Sequence, residues 1–187
     1  RKCEMGKSKK IDLYAVAKMS VCVAFLCISS YLTVPLPFTA ILLSLHTVAV
    51  NLTGLLLSPG QAAGTIIVYL LMGLIGLPVF SAGSSGPGKL FGPTGGFYFG
   101  FLFAVVVISL LKGKKNQFWR YIIVTILLGI PVQHLFGVLF MCFHNGFNIK
   151  SAFLTVSLPF IPGDVLKCVI SSMLAVTLNK IPDIKRR

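Results

Sequence analysis

The sequence predicts an all-α membrane protein with six transmembrane helices and both termini in the cytoplasm. Three observations carry this. Hydrophobic residues make up 56% of the 187 residues and charged ones 11%, with a mean hydropathy of +0.91; a soluble domain is roughly half apolar and a quarter charged. Apolar runs of about 20 residues, the length that crosses a hydrocarbon layer of about 30 Å, recur along the chain. The basic residues gather in short segments that flank those runs.

The spans are read in order as 13–34, 39–57, 61–80, 95–111, 121–143 and 158–178. The first follows a basic tail, but it is too long for a signal-peptide core and has no small-x-small cleavage site, which makes it a retained helix. The second follows the apolar loop Leu32 to Thr39, stiffened by Pro35 and Pro37. Only Ser58-Pro59-Gly60 separates it from the third, a turn between antiparallel neighbours. The fourth follows a glycine-rich loop, Gly83 to Gly96. The fifth ends in Phe143-His-Asn-Gly-Phe147, a helix exit, and the sixth begins around Pro159 and Pro162.

Thirteen of the 17 Lys and Arg residues fall on one predicted side: Arg1, Lys2, Lys7, Lys9 and Lys10; Lys112, Lys114, Lys115 and Arg120; Lys180, Lys185, Arg186 and Arg187. The other side holds Lys89 and Lys150, while Lys18 and Lys167 lie within spans. The positive-inside rule then puts both termini in the cytoplasm, in agreement with an even number of spans. The formal charge of +13 is thus a topology signal. Split among three membrane-flanking segments, it argues against a nucleic-acid partner. The chain reads as one integral membrane domain, 1–187, with cytoplasmic tails 1–12 and 179–187. Cys22, Cys27, Cys142 and Cys168 lie in apolar segments and Cys3 in the tail; with no CxxC pair they read as buried, unpaired thiols.

Between residues 13 and 182 one acidic side chain occurs, Asp164, three residues before Lys167. A charge at bilayer depth is costly, so such residues face a pocket or a partner. Three apart on a helix, the two share a face and can act on one small polar ligand. The competing reading is a helix cap at Asp164 after Pro162-Gly163 and a lysine that reaches for the interface.

Three enzyme or metal patterns fail on context. Gly83, Gly88 and Lys89 fit the core of a phosphate-binding loop, but Leu90 stands where a Ser or Thr must hold Mg²⁺, and the loop lies on the non-cytoplasmic side. Gly83-Ser84-Ser85-Gly86 resembles the serine motif of intramembrane rhomboid proteases, with His134 or His144 as conceivable bases. Pro87 and Gly88 break any helix directly after that serine, and His134 reads as a polar group satisfied between helices. His46, His134 and His144 are scattered, with no i, i+4 pair, a poor metal ligand set. No cofactor and no metal are expected.

An ordered set of motifs carries a family resemblance: Pro35-Leu-Pro-Phe38, Gly54-Leu-Leu-Leu57, Gly73-Leu-Ile-Gly-Leu-Pro-Val-Phe80, Gly92-Pro-Thr-Gly-Gly96, and Phe160-Ile-Pro-Gly-Asp164 with Lys167. Over about residues 12–180 the chain resembles BioY, the biotin-capturing S component of energy-coupling-factor (ECF) vitamin importers. The resemblance implies a six-helix S-component bundle in a prokaryotic plasma membrane that holds biotin near its outer face. It implies no enzymatic activity and, as partners, a membrane coupling protein and two cytoplasmic ATPases. The competing assignments are an S component for another small vitamin and an intramembrane serine protease.

Biotin carries a ureido group with two N–H donors and one carbonyl acceptor, an apolar bicycle and a carboxylate tail. Asp164 can accept a ureido N–H, and Lys167 can donate to the ureido carbonyl. The resemblance carries over Ser84, where a family member has a ligand-binding asparagine, and Tyr98, at a position that can hold a basic ligand contact. Neither is charged, which leaves Lys89 as the substitute partner of the carboxylate. Leu45-His46-Thr47 stands where the family has Leu-Gln-Thr, so Thr47 joins the binding set. Pro35, Leu36, Pro37 and Phe38 resemble a pocket lid. Ala17, Ser20 and Ala24 on the first helix form a small-residue face that allows close helix approach. In the family this face docks on the coupling protein; the alternative is packing within the bundle.

Overall fold

The computed structural model describes residues 13–34, 43–146 and 148–180, and it is a bundle of helices. In order these are α1 (Leu13–Tyr31), α2 (His46–Leu56), α3 (Pro59–Leu74), α4 (Pro87–Leu90), α5 (Gly95–Leu111), α6 (Phe118–Val124), α7 (Ile130–Asn145), α8 (Ile149–Val156) and α9 (Ile161–Leu178). Among the described residues three stretches are long and apolar enough to cross a membrane by themselves: Leu13–Tyr31, Phe118–His144 and Ile161–Leu178. Pro59–Leu74 and Gly95–Leu111 are apolar but shorter. Outward-facing Leu71, Phe103, Leu127, Leu139, Leu166 and Met173 are each at least 40% exposed, an apolar surface far beyond the patches a water-soluble monomer shows.

Several helix ends differ from the sequence reading. The first helix stops at Tyr31, because Thr33–Val34 (β1) leaves it to pair antiparallel with Leu43–Ser44 (β2). Backbone paired in that ladder cannot be helical, so α2 starts at His46 rather than at 39. The third helix stops at Leu74 rather than 80: Gly76 takes a φ of +109°, a conformation open to glycine, and Pro78 prevents a restart. Residues 149–156, expected between spans, form α8, and α9 begins at Ile161 rather than 158. Residues 1–12, 35–42 with the lid residues Pro35, Leu36, Pro37 and Phe38, Phe147 and 181–187 lie outside the described residues.

Glycine sets the closest packing. Helix α5 lies against α2, α3 and α7, and its contact with α7 needs residues without side chains. A Cβ at Gly96 would stand 2.2 Å from the Phe136 carbonyl oxygen, and one at Gly100 would stand 3.0 Å from Cα of Gln133. Between α6 and α7 the chain runs as a π-helix, Thr125–Gly129. Pro131, which lacks an N–H, follows at once. One residue inserted into a helix rotates everything after it by about 100°, which affects the turn that carries Gln133 and His134.

At the opposite end from these residues, Lys112 closes α2. Its Nζ donates to the carbonyls of Gly54 (3.2 Å), Leu55 (2.9 Å) and Leu57 (2.5 Å), and Ser109 Oγ also donates to Leu57. The last carbonyls of a helix have no partners within it, and a cation there also opposes the helix dipole. Burial pulls the Lys112 pKa down from 10.5 to about 8, with Lys18 adding to the shift.

Candidate functional site

Asp164 sits in the first turn of α9, yet it caps nothing. Its carboxylate turns across the bundle. Oδ1 takes a hydrogen bond from Lys167 Nζ at 2.9 Å and a longer one from Thr47 of α2 at 3.4 Å. Oδ2 lies 3.0 Å from Nε2 of His134 on α7. Asp164 and Lys167 are each 6% exposed, so Lys167 does not reach for the interface, and the cap-and-snorkel alternative does not describe these two residues.

The hydrogen bonds orient the imidazole. An ionised carboxylate only accepts, so His134 Nε2 donates to Asp164, while Nδ1 lies 3.1 Å from Ser157 Oγ. Asp164 and Lys167 stand 2.9 Å apart with opposite charges, and buried charges are tolerated when paired in this way. Ser157, His134 and Asp164 stand in the order of a hydrolytic triad. Ser157, however, is 0% exposed and does not line the cleft, so no substrate carbonyl can reach it.

The cluster opens into a cavity of about 140 Å³, roughly ten times the space one water needs. Thr47, Gln133, His134, Asp164 and Lys167 form one wall, and Phe97, Tyr98, Phe101 and Phe160 supply apolar surface. Ser44, Ser81, Lys89 and Thr94 complete the lining. Lys89 stands on the short α4, beside the N-terminal end of α5, a combination favourable to an anion. This is the mixture of apolar walls and a few convergent polar groups that small-molecule sites display.

Of the candidate binding residues, the fold brings Asp164, Lys167, Thr47, Tyr98 and Lys89 to this cavity. The Tyr98 hydroxyl is taken up by Ser81, accepting from its backbone N–H and pairing with its Oγ, both at 3.1 Å. Ser84 is not among the lining residues: its hydroxyl donates to the Ser81 carbonyl at 2.7 Å, and Ser81 takes the place at the cavity. His46 is 1% exposed and bonds Tyr69 at 2.7 Å, while His144 pairs with the Phe91 carbonyl. Among the described cysteines none is paired; Cys22 and Cys168 are buried, Cys27 and Cys142 half-buried.

Gln133 and His134 had no place in the expected binding set. A signal existed, since two adjacent polar residues inside an apolar span face protein rather than lipid. Ala17, Ser20 and Ala24 all face outward on α1, so they do not pack inside the bundle. Ser20 and Ala24 line an apolar groove with Met19, Cys27, Val68 and Met72.

Comparisons with known proteins agree with this architecture. A profile described as the BioY family matches residues 5–183. The "Probable biotin transporter BioY" of Pyrococcus horikoshii is 33% identical over 92% of this chain and 98% of its own. The "Biotin transporter BioY" of Thermotoga maritima is 32% identical over 88% and 95%. Among solved structures, the crystal structure of the S-component for biotin from an ECF-type ABC transporter superposes with a TM-score of 0.84. It covers 94% of this chain and 95% of that one at 24% identity, a likeness of fold.

Proposed function

The chain belongs to the BioY family, whose named relatives are transporters rather than enzymes, and on that premise we propose that it captures biotin for import. The observation that carries the proposal is the buried Asp164–Lys167 pair, hydrogen-bonded to His134 and Thr47, at the cavity wall. Asp164 offers about four acceptor directions, of which His134, Lys167 and Thr47 use three. Lys167 offers three donors, and its hydrogen bond among the described residues is the one to Asp164. One acceptor and two donors therefore remain for a ligand. A cyclic urea, with N–H groups beside a carbonyl, answers both.

The rest of the cavity supports the other parts of biotin. The four aromatic rings suit the sulfur-containing bicycle and its alkyl tail. Lys89, with the α5 terminus behind it, suits the carboxylate. Ser84 acts at one remove, by holding Ser81 and through it Tyr98.

In this reading the chain is the S component of an ECF importer in a prokaryotic plasma membrane, crossing it six times with both termini cytoplasmic. Its partners are a membrane coupling protein and two cytoplasmic ATPases. The outward face of Ala17, Ser20 and Ala24 receives the coupling protein, since small residues let a second helix come close.

The test is uptake of labelled biotin by bacteria that lack their own importer and express the chain with an ECF module. Biotin should accumulate while riboflavin and thiamine do not; accumulation of either of the latter in place of biotin would overturn the assignment.

A further inference from the structure

We infer that Gln133 reads the ureido group of the ligand and decides between a cyclic urea and its close analogues. The inference rests on the biotin reading above and adds to it a residue and a selectivity.

Four buried side-chain atoms among the described residues lack a hydrogen-bond partner: His46 Nδ1, Asn51 Oδ1, Gln133 Nε2 and Ser172 Oγ. Of these residues, only Gln133 lines the cavity. It is 4% exposed and sits next to His134, which holds Asp164. Thr47, His134, Asp164 and Lys167 satisfy one another, whereas the Gln133 amide is left out of that network. Buried polar groups are almost always paired, and an exception calls for a partner that is absent. The backbone that carries Gln133 is held tightly, because Gly100 lets α5 approach until a Cβ there would stand 3.0 Å from the Gln133 Cα and carbonyl oxygen. Gln133 thus lines the cavity from a fixed support, and its amide nitrogen, unpartnered and itself buried, reaches a ligand by a turn of the carboxamide.

The chemistry of a carboxamide fits what the Asp164 cluster leaves over. It presents an N–H and a C=O side by side. A cyclic urea presents a C=O and an N–H in the complementary order, so the two groups can form a pair of parallel hydrogen bonds. Gln133 would take one ureido N–H and donate to the carbonyl, while Asp164 takes the other N–H. In 2-iminobiotin the carbonyl oxygen is replaced by nitrogen that carries hydrogen. Whichever way the Gln133 amide is turned, one of its N–H groups then faces another N–H. A carboxylate in its place would present two acceptors to the two N–H groups of the cyclic guanidinium, a strong charge-assisted pair.

The experiment measures biotin and 2-iminobiotin binding to the purified full chain and to Gln133→Leu and Gln133→Glu. Wild type should prefer biotin. Gln133→Leu should weaken biotin binding by about ten- to a hundredfold, as expected when a hydrogen bond in a dry pocket is lost. Gln133→Glu should reverse the preference in favour of 2-iminobiotin, which a merely structural role could not produce. Wild-type biotin affinity in Gln133→Leu, or an unchanged preference in Gln133→Glu, would overturn the inference and leave the biotin reading intact. A wild-type chain without biotin affinity would sink both, and it would show before any variant is made.

Discussion

His134 Nε2 stands 3.0 Å from Asp164 Oδ2, which joins α7 to α9 through a buried hydrogen bond to a carboxylate. The donor comes from 30 positions away in the chain. Replacing His134 by Phe removes it and leaves Asp164 with Lys167 and Thr47. A hydrogen bond to a charged group contributes roughly 1.5–3 kcal/mol, so biotin affinity should fall by about ten- to a hundredfold. His134→Gln, which can still donate, should recover part of the loss. Equal binding by wild type and the Phe variant, measured by calorimetry, would remove His134 from the site.

Asp164 and Lys167 should behave as one unit in stability as well. Lys167→Met leaves a buried, uncompensated carboxylate and should cost about 3–5 kcal/mol, whereas Asp164→Asn with Lys167→Met removes both charges and should cost less. Thermal unfolding in detergent checks the order. A double variant less stable than Lys167→Met alone would contradict it.

Lys112 gives the chain a distinct alkaline response. Its pKa in the folded protein, lowered to about 8 from 10.5, means that the unfolded chain binds more protons between these values. Stability from this group therefore rises with pH across that window and is at its lowest below pH 8. Compared with Lys112→Met, whose position 112 does not titrate, wild type should gain stability from about pH 8 to 10.5. At neutral pH the Met variant takes the Lys112 donor from the Gly54 and Leu55 carbonyls and leaves Leu57 with Ser109 alone, at about 1–3 kcal/mol. A pH-independent difference between the two would show that burial does not penalise this charge.

In the proposed arrangement, the α1 face is where capture and import separate. Ala24 is exposed and lines the groove on α1, away from the binding cavity. Ala24→Trp should leave biotin binding by the purified chain unchanged and lower uptake in cells supplied with the ECF module. Unchanged uptake would take the coupling surface away from α1.

Asp164 and Lys167 were legible in the sequence because charges are so rare inside apolar runs that each one stands out. Gln133 and His134 stood out only as polar residues inside an apolar span; their place at the site did not, since His134 meets Asp164 from 30 positions away and no spacing connects the two. The π-helix that sets the facing of these two residues leaves no mark in the hydrophobic pattern. Runs of apolar residues located the helices but not their ends. Gly76 stops α3 through a local backbone angle, and the β1–β2 pairing holds 43–44 out of α2; neither is carried by the hydrophobic pattern. The place of Ser81 at the cavity, instead of Ser84, depends on a single side-chain hydrogen bond inside a loop.

The most direct test of the central claim is calorimetric titration of the detergent-purified chain with biotin, beside Asp164→Asn. Tight one-to-one binding by wild type, weakened about tenfold or more in the variant, is the expected result. Biotin binding equally tight in both would show that the cluster around Asp164 does not hold the ligand.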